Sequence, residues 1–532
     1  MPGEIANQNH YFSQEEKMKK FWIVLIALGL VAAFSMSASA ADVKFSGSYY
    51  IEGWYDDNHS LLSKDDTSTI ANRGPIALYH QRFRLQTEFK VAEGLTLTTR
   101  FDALEKNWGD RRDRNGGDLS TGYATPSTAA TVENASRRGV PTYNNSTGGY
   151  QAGTSTTASA NTQIYATQEQ ANIEFERVYI TANLPFGVLI AGYAEDIKWG
   201  TDFMDTVTTR PLIKLIVPVG NLTFVAAVKK DLEGTMYNGY GNINESDKDI
   251  YDAAGIFKWR SGETGLLFEY LRDNSKKTTN ITGAAIAAAG TGATLTAANG
   301  LSYVQNVYGF FPYFKQTIGP LYLEGEAYYG FGDVRKYDNA SGSDSKLDTY
   351  GISLHAKVDL KPVYFGGRFI YMKGDDPTTT DKTEGGLAAA LVAGQAFLPC
   401  LMLFNDSFYT ATGTGYAGRA GAYSSSTSNL VNVQFMDNVL FFQGYAGVKP
   451  TDKLDIMAAL AFARSDQTPS RAYVSDNIGW EADLTATYKI YDNLSYMVGL
   501  GYLFTGDYFK ATDATAKLSN DYIVMHKLSL TF

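Results

Sequence analysis

Along most of this chain apolar and polar residues alternate one for one, the period of a β-strand with one apolar and one wet face. Residues 43–52 put Val43, Phe45, Gly47, Tyr49 and Ile51 on one side and Lys44, Ser46, Ser48, Tyr50 and Glu52 on the other. Residues 79–91 set Tyr79, Phe83, Leu85, Phe89 and Val91 against His80, Arg82, Arg84, Gln86, Glu88 and Lys90. The same alternation runs through 348–360 (Tyr350, Ile352 and Leu354 against Ser353, His355 and Lys357) and 479–491 (Trp480, Leu484 and Tyr488 against Glu481, Asp483 and Thr485). In the last eleven residues Tyr522, Val524, Leu528, Leu530 and Phe532 share the apolar face, and His526 is its one exception.

The breaks between these runs come in two kinds. Short ones, rich in Gly, Pro, Asn and Asp, fall at 91–95, 184–188, 217–222, 261–265, 318–321, 360–363, 448–454 and 490–494. These residue types supply the backbone angles of tight hairpins. Long polar ones fall at about 57–76, 105–168, 197–210, 231–248, 272–301, 332–346, 373–435, 464–476 and 505–519. Eight turns and nine loops join 18 strands, or 16 if one hairpin is miscounted. Period alone fits a soluble sandwich as well as a barrel. The strict alternation of short turn and long loop selects an all-β fold, a transmembrane antiparallel barrel with short periplasmic turns and long extracellular loops.

The start of the chain sets the compartment. From Met18 it reads Lys19-Lys20, an apolar run over residues 21–34, then Ala38-Ser39-Ala40 before Ala41. A basic region, a short apolar core and an A-x-A site make a secretory signal, cleaved between Ala40 and Ala41. Residues 1–17 do not fit a signal and read as a leader ahead of the true start at Met18. The mature barrel is then 41–532. The single cysteine, Cys400, cannot form an internal disulfide. A net charge of −10 argues against a nucleic-acid partner, and 36 Tyr with 29 Phe suit aromatic girdles.

With these features together the mature chain resembles a Gram-negative outer-membrane porin over its whole length. Residues 175–188, FERVYITANLPFGV, resemble the porin hairpin that turns at Phe-Gly, and 90–102, KVAEGLTLTTRFD, resemble porin-like channels of metal- and sulfate-reducing bacteria. The constriction motif Pro-Glu-Phe-Gly-Gly is missing. The resemblance implies passive diffusion of small hydrophilic solutes or ions, and contact with outer-membrane lipid and lipopolysaccharide. It further implies a homotrimer, no cofactor, and a terminal signal (Tyr522, Leu528, Leu530, Phe532) read by the barrel-assembly machinery.

A barrel this wide is expected to enclose water, so lumen charges would need no ion-pair partners. The porin resemblance implies a basic wall facing an acidic inward loop. Wall candidates are Arg82, Arg84, Arg100 and Arg368, with Glu52, Asp102, Glu174 and Glu176 as acidic counterparts. Arg82, Arg84 and Arg100 are expected to form one basic patch. The loop 197–210 would oppose them through Trp199, Asp202, Asp205 and Arg210. Residues 107–118 have an acidic spacing that lacks the closing Glu of a calcium loop, and the apolar stretch 387–404 is expected to plug or cover the mouth or to meet a neighbouring subunit. Neither H-E-x-x-H nor G-x-S-x-G occurs, and the chain is read as a non-enzyme. Two other readings stay open: a barrel sheathing a partner such as a multihaem cytochrome, and an adhesin displaying its loops.

Overall fold

A computed structural model describes residues 42–67, 74–108, 173–196, 198–205, 208–233, 247–275, 302–338, 343–385, 397–405, 407–408, 416 and 436–532, with the backbone of 142–144 and 149–151. The expected leader and signal (1–40), nearly all of the loop 105–168, and residues 387–396 lie outside the described residues.

Eighteen strands form the wall: β1 Val43–Asp56, β2 Ile76–Ala92, β3 Leu95–Asn107, β4 Ile173–Leu184, β5 Gly187–Glu195 and β6 Thr209–Val219, followed by β7 Leu222–Leu232, β8 Lys248–Trp259 and β9 Gly262–Asp273. Then come β10 Tyr303–Ile318, β11 Leu321–Tyr337, β12 Ser345–Asp359, β13 Val363–Met372, β14 Val439–Thr451, β15 Leu454–Ser465, β16 Asn477–Tyr491, β17 Leu494–Thr505 and β18 Asp521–Thr531. Each pairs antiparallel with its sequence neighbours. The sheet closes where β1 meets β18, from Ser48 opposite Thr531 to Asp56 opposite Ile523. Gly47 and Phe532 exchange backbone hydrogen bonds of 2.8 and 3.1 Å at the seam, and the Phe532 ring lies along Phe83. Closure leaves no unpaired edge, which a bilayer demands. The eight short turns, and the strand ends that flank the nine long breaks, fall within about five residues of the predicted places, with β11 running on to Tyr337 and β6 starting at Thr209.

The apolar face of each strand points outward. Phe45, Tyr79, Ile213, Leu266, Leu354, Trp480 and Val524 are all exposed on the outer surface, the surface of a protein that sits in lipid. Near the long-loop rim, register places Tyr251 opposite Tyr270, Tyr270 opposite Tyr308 and Tyr308 opposite Phe331. This one row of rings across β8–β11 is a segment of an interfacial girdle.

His526, the polar exception on this face, has a local explanation. Its ring packs between Tyr79 and Tyr496, with centroids 5.5 and 5.8 Å away, over the bare backbone of Gly53. A Cβ at Gly53 would collide with His526 Nε2 and reach 2.9 Å from Tyr79. We therefore expect Gly53→Val to destabilise the barrel by about 1–3 kcal/mol through overpacking. Gly444→Val, on an outward position with open space around it, should be neutral. Urea titration followed by the heat-dependent gel shift of folded barrels compares the two. Equal midpoints would discount the packing account of His526.

Candidate functional site

The lumen wall from β18 through β1 to β5 carries a strip of ion pairs. Glu52 on β1 meets Lys527 Nζ at 2.9 Å and His80 Nδ1 at 3.4 Å. Arg82 approaches Glu105 at 3.6 Å and lies over the Tyr50 ring. Arg84 grips Asp102 with two bonds of 2.7 and 2.6 Å. Arg100 reaches Glu176 at 3.8 Å, and Arg177 makes a two-pronged contact with Glu195, 2.9 Å at each oxygen. Planar forks of this kind fix geometry as well as charge.

A β-bulge gives the strip two of its members. Arg100 pairs with Arg177 while Phe101 pairs with Phe175, so Glu176 is an extra residue on β4. Phe175 and Val178 both point out to lipid. The two residues between them, Glu176 and Arg177, therefore both face the lumen, which strict alternation forbids. Glu174, opposite Asp102, ends the strip towards the long-loop rim.

The rest of the wall differs. Lys229 is buried among Asp196, Asp252 and Glu269 at 2.6, 2.7 and 3.0 Å. Arg210, expected in the inward loop, stands instead on β6 and pairs with Asp196 and Asp231. Arg368 lies apart from the other wall arginines, on β13. It donates to Gln443 Oε1 at 2.7 Å, between the rings of Tyr445 and Phe397 at 5.2 and 5.9 Å. Beneath it, a recess of about 730 Å³ at the short-turn end is lined by Tyr322, His355 and Lys357.

Two loops turn into the barrel. Residues 198–205 follow β5: Trp199 donates its Nε1 hydrogen to the Phe311 carbonyl at 2.8 Å and packs edge-on against Tyr313. The backbone N–H and the hydroxyl of Thr201 both donate to Glu326 Oε2 on β11, at 2.8 and 2.7 Å. Asp205 is buried against Lys198 Nζ, 3.2 Å away, while Asp202 is exposed. Burial raises the Asp205 carboxyl above its usual range, and the contact with Asp205 raises Lys198. Residues 397–405 form the second loop, seated by Met402 and Leu403 N–H groups on Glu481 of β16, at 2.7 and 2.8 Å. Phe203 and Phe397 meet edge to face, 6.0 Å between centroids, so the loops touch inside the barrel.

Around these loops lies a continuous apolar core: Trp54, Phe311, Tyr328, Met372, Phe441, Ile478 and Ile523 from the wall, with Phe203, Met402, Phe404 and Phe408 from the loops. This corrects two expectations. The lumen charges are not simply solvated, because the loops exclude water and pairing offsets their desolvation. The patch of Arg82, Arg84 and Arg100 is not basic but mixed, since Glu105, Asp102 and Glu176 stand within it. Trp199, Asp202 and Asp205 do lie on an inward loop, and 397–404 do pack into the lumen. Glu326, Glu481 and the Lys229 cluster were not singled out from the sequence, where they look like any other wet-face residue.

Glu326→Ala should release the 198–205 loop, since each lost charge-assisted hydrogen bond is worth about 1.5–3 kcal/mol. Trypsin added to the folded protein should then cut at Lys198 faster than in wild type, with the barrel itself intact. Identical cleavage rates would show that Glu326 does not hold the loop.

No protein-family model matches the chain, and no curated protein matches it. Solved structures similar to it include a BenF-like porin from Pseudomonas fluorescens Pf-5, at 10% identity and a TM-score of 0.43 over 92% of this chain and 99% of that one. OccK8 (OprE) from Pseudomonas aeruginosa has 11% identity and a TM-score of 0.43, over 92% and 98%. OpdK from the same organism, crystallised with vanillate, has 10% identity and a TM-score of 0.41, again over 92% and 98%.

Proposed function

We infer that this barrel is a passive channel of the Gram-negative outer membrane, letting small hydrophilic solutes or ions pass down their gradients. One observation carries the reading. The inward loops fill the lumen from β8 round to β18 and the Trp54 end of β1, whereas the strip on β1–β5 retains partly exposed charges: Arg82, Arg84, Glu105, Glu176 and Glu195. A wet, charged wall opposite a packed apolar one supports a passage along the strip, narrowed by the loops.

Charge balance bears on selectivity. Lys527, Arg82, Arg84, Arg100 and Arg177 face Glu52, Glu105, Asp102, Glu176 and Glu195, with Glu174 at the rim end adding one acid. Asp205 is likewise engaged with Lys198. The field across the passage is therefore small and selectivity weak, unlike the strongly polarised pore first expected. The reading extends to the ends of the chain, with 18–40 as the export signal and Tyr522, Leu528, Leu530 and Phe532 as the assembly signal. The homotrimer implied by the porin resemblance is kept as part of the same proposal.

Single-channel recording of residues 41–532 refolded into a planar bilayer tests it. We expect stepwise conductance, with Arg84→Gln moving the reversal potential under a salt gradient towards cations and Asp102→Asn towards anions. Phe203→Ala with Phe397→Ala should enlarge the unit step by roughly twofold, since conductance follows the free cross-section. A folded barrel without steps would favour the sheath for a partner.

A further inference from the structure

Cys400, Glu481 and Asp483 converge behind the second inward loop. Cys400 belongs to the loop, and the two acids are successive lumen-facing residues of β16; all three are buried. One donor atom from each, the Cys400 Sγ and one oxygen from each carboxylate, lies within 4.8 Å of the others. Each Glu481 oxygen accepts one hydrogen bond from the loop backbone, which leaves a lone pair on each. The Asp483 side chain is directed into the same cluster. Its Oδ2 takes a long contact of 3.3 Å from the Leu401 N–H, its Oδ1 is buried with no donor from the loop or the wall, and the Glu481 carboxyl stands at hydrogen-bond distance from the Asp483 carboxyl. Among the described residues neither acid forms an ion pair with a Lys, Arg or His. Gly501 on β17 keeps the space beside Asp483 Oδ1 clear, because a Cβ there would stand 3.0 Å from that oxygen.

Two carboxylates taken out of water without a cation are costly. Glu326 also keeps one buried oxygen, Oε1, without a hydrogen-bond partner, but the other buried acids described above have a basic partner, and what sets the Glu481–Asp483 pair apart is its company. This one has an oxygen left over and a thiol beside it.

We propose that Cys400, Glu481 and Asp483 bind a divalent transition-metal ion of the zinc class, which staples the inward loop to the barrel wall. One sulfur and two carboxylate oxygens are three ligands of a tetrahedral site, with a fourth position left for water. The sulfur selects against magnesium and calcium, which take oxygen ligands, and the carboxylates select against monovalent copper. The assignment does not depend on whether the barrel conducts.

The test uses the folded full-length mature chain, loaded with zinc in detergent, dialysed, and assayed by mass spectrometry for metal per chain. Wild type should retain one zinc, and Cys400→Ser and Asp483→Asn should each weaken binding by roughly 10-fold or more, the loss seen even when a supporting residue of a metal site is removed. Cobalt in place of zinc should give the thiolate-to-metal absorption band in wild type. That band reads the site directly and decides the matter if a variant does not fold. Wild type without stoichiometric zinc, zinc held equally by all three proteins, or cobalt without a thiolate band would each overturn the site and leave a proton shared between the two acids.

Discussion

Carboxylates on the inner wall hold the loops inside this barrel. A loop that enters a lumen brings backbone N–H groups away from water, and each needs an acceptor. A strand's own carbonyls are largely committed to the sheet, the Phe311 carbonyl that takes Trp199 Nε1–H being one exception, so the backbone N–H groups find side-chain acceptors. Glu326 takes the N–H of Thr201, Glu481 those of Met402 and Leu403, and Asp483 that of Leu401. On the seam strands, Asp521 takes the N–H of Asn58, and Asp56 engages His59 at 2.7 Å. The same device recurs on β11, β16 and β18, while Asp56 of β1 holds a loop side chain instead. Without it the apolar faces of the loops would still favour burial, but the buried peptide groups would oppose it.

Once the loops are in, the two halves of the wall obey different rules. Behind the loops water is gone, and charges persist only in tight arrangements such as Lys229 among three acids. Trp199, Phe311 and Tyr313 pack there as in the interior of a soluble protein. On β1–β5 two tight forks, Arg84 on Asp102 and Arg177 on Glu195, stand among looser pairs: Arg82 is 3.6 Å from Glu105 and Arg100 is 3.8 Å from Glu176. Exposed pairs at such separations contribute little to stability. Their persistence on one side of the lumen is better understood as lining than as glue.

The sequence disclosed what depends on neighbours along the chain. Alternation at Val43–Ile51 or Trp480–Ile490 fixes which face meets lipid, and Pro or Gly-rich breaks fix the turns, so strand count and loop positions were legible. Which charges meet was partly legible, because Arg84 and Asp102 sit on adjacent strands at computable register. It missed Arg177, which one extra residue turns inward beside Glu176, and it misplaced Arg210, where β6 begins earlier than the polar run suggested. Arg368 was grouped with arginines that the closed cylinder puts elsewhere. The anchoring acids were invisible, since Glu326 or Glu481 acquires its role only when a loop distant in sequence arrives above it.

That dependence also locates control of the narrowing. The facing rings, Phe203 and Phe397, are on loops, but each loop is fixed by an acid on a strand, β11 for one and β16 for the other. Four strands lie between the anchors around the cylinder, and a closed hydrogen-bonded sheet keeps that separation rigid. The gap is therefore set by the wall, and the loop tips only trim it. Loop residues between anchor and tip can vary with modest effect, whereas moving an anchor by one position would turn its carboxylate to the lipid face. The polar alternation that makes the chain a barrel is, at Glu326 and Glu481, also what decides how far the barrel is filled.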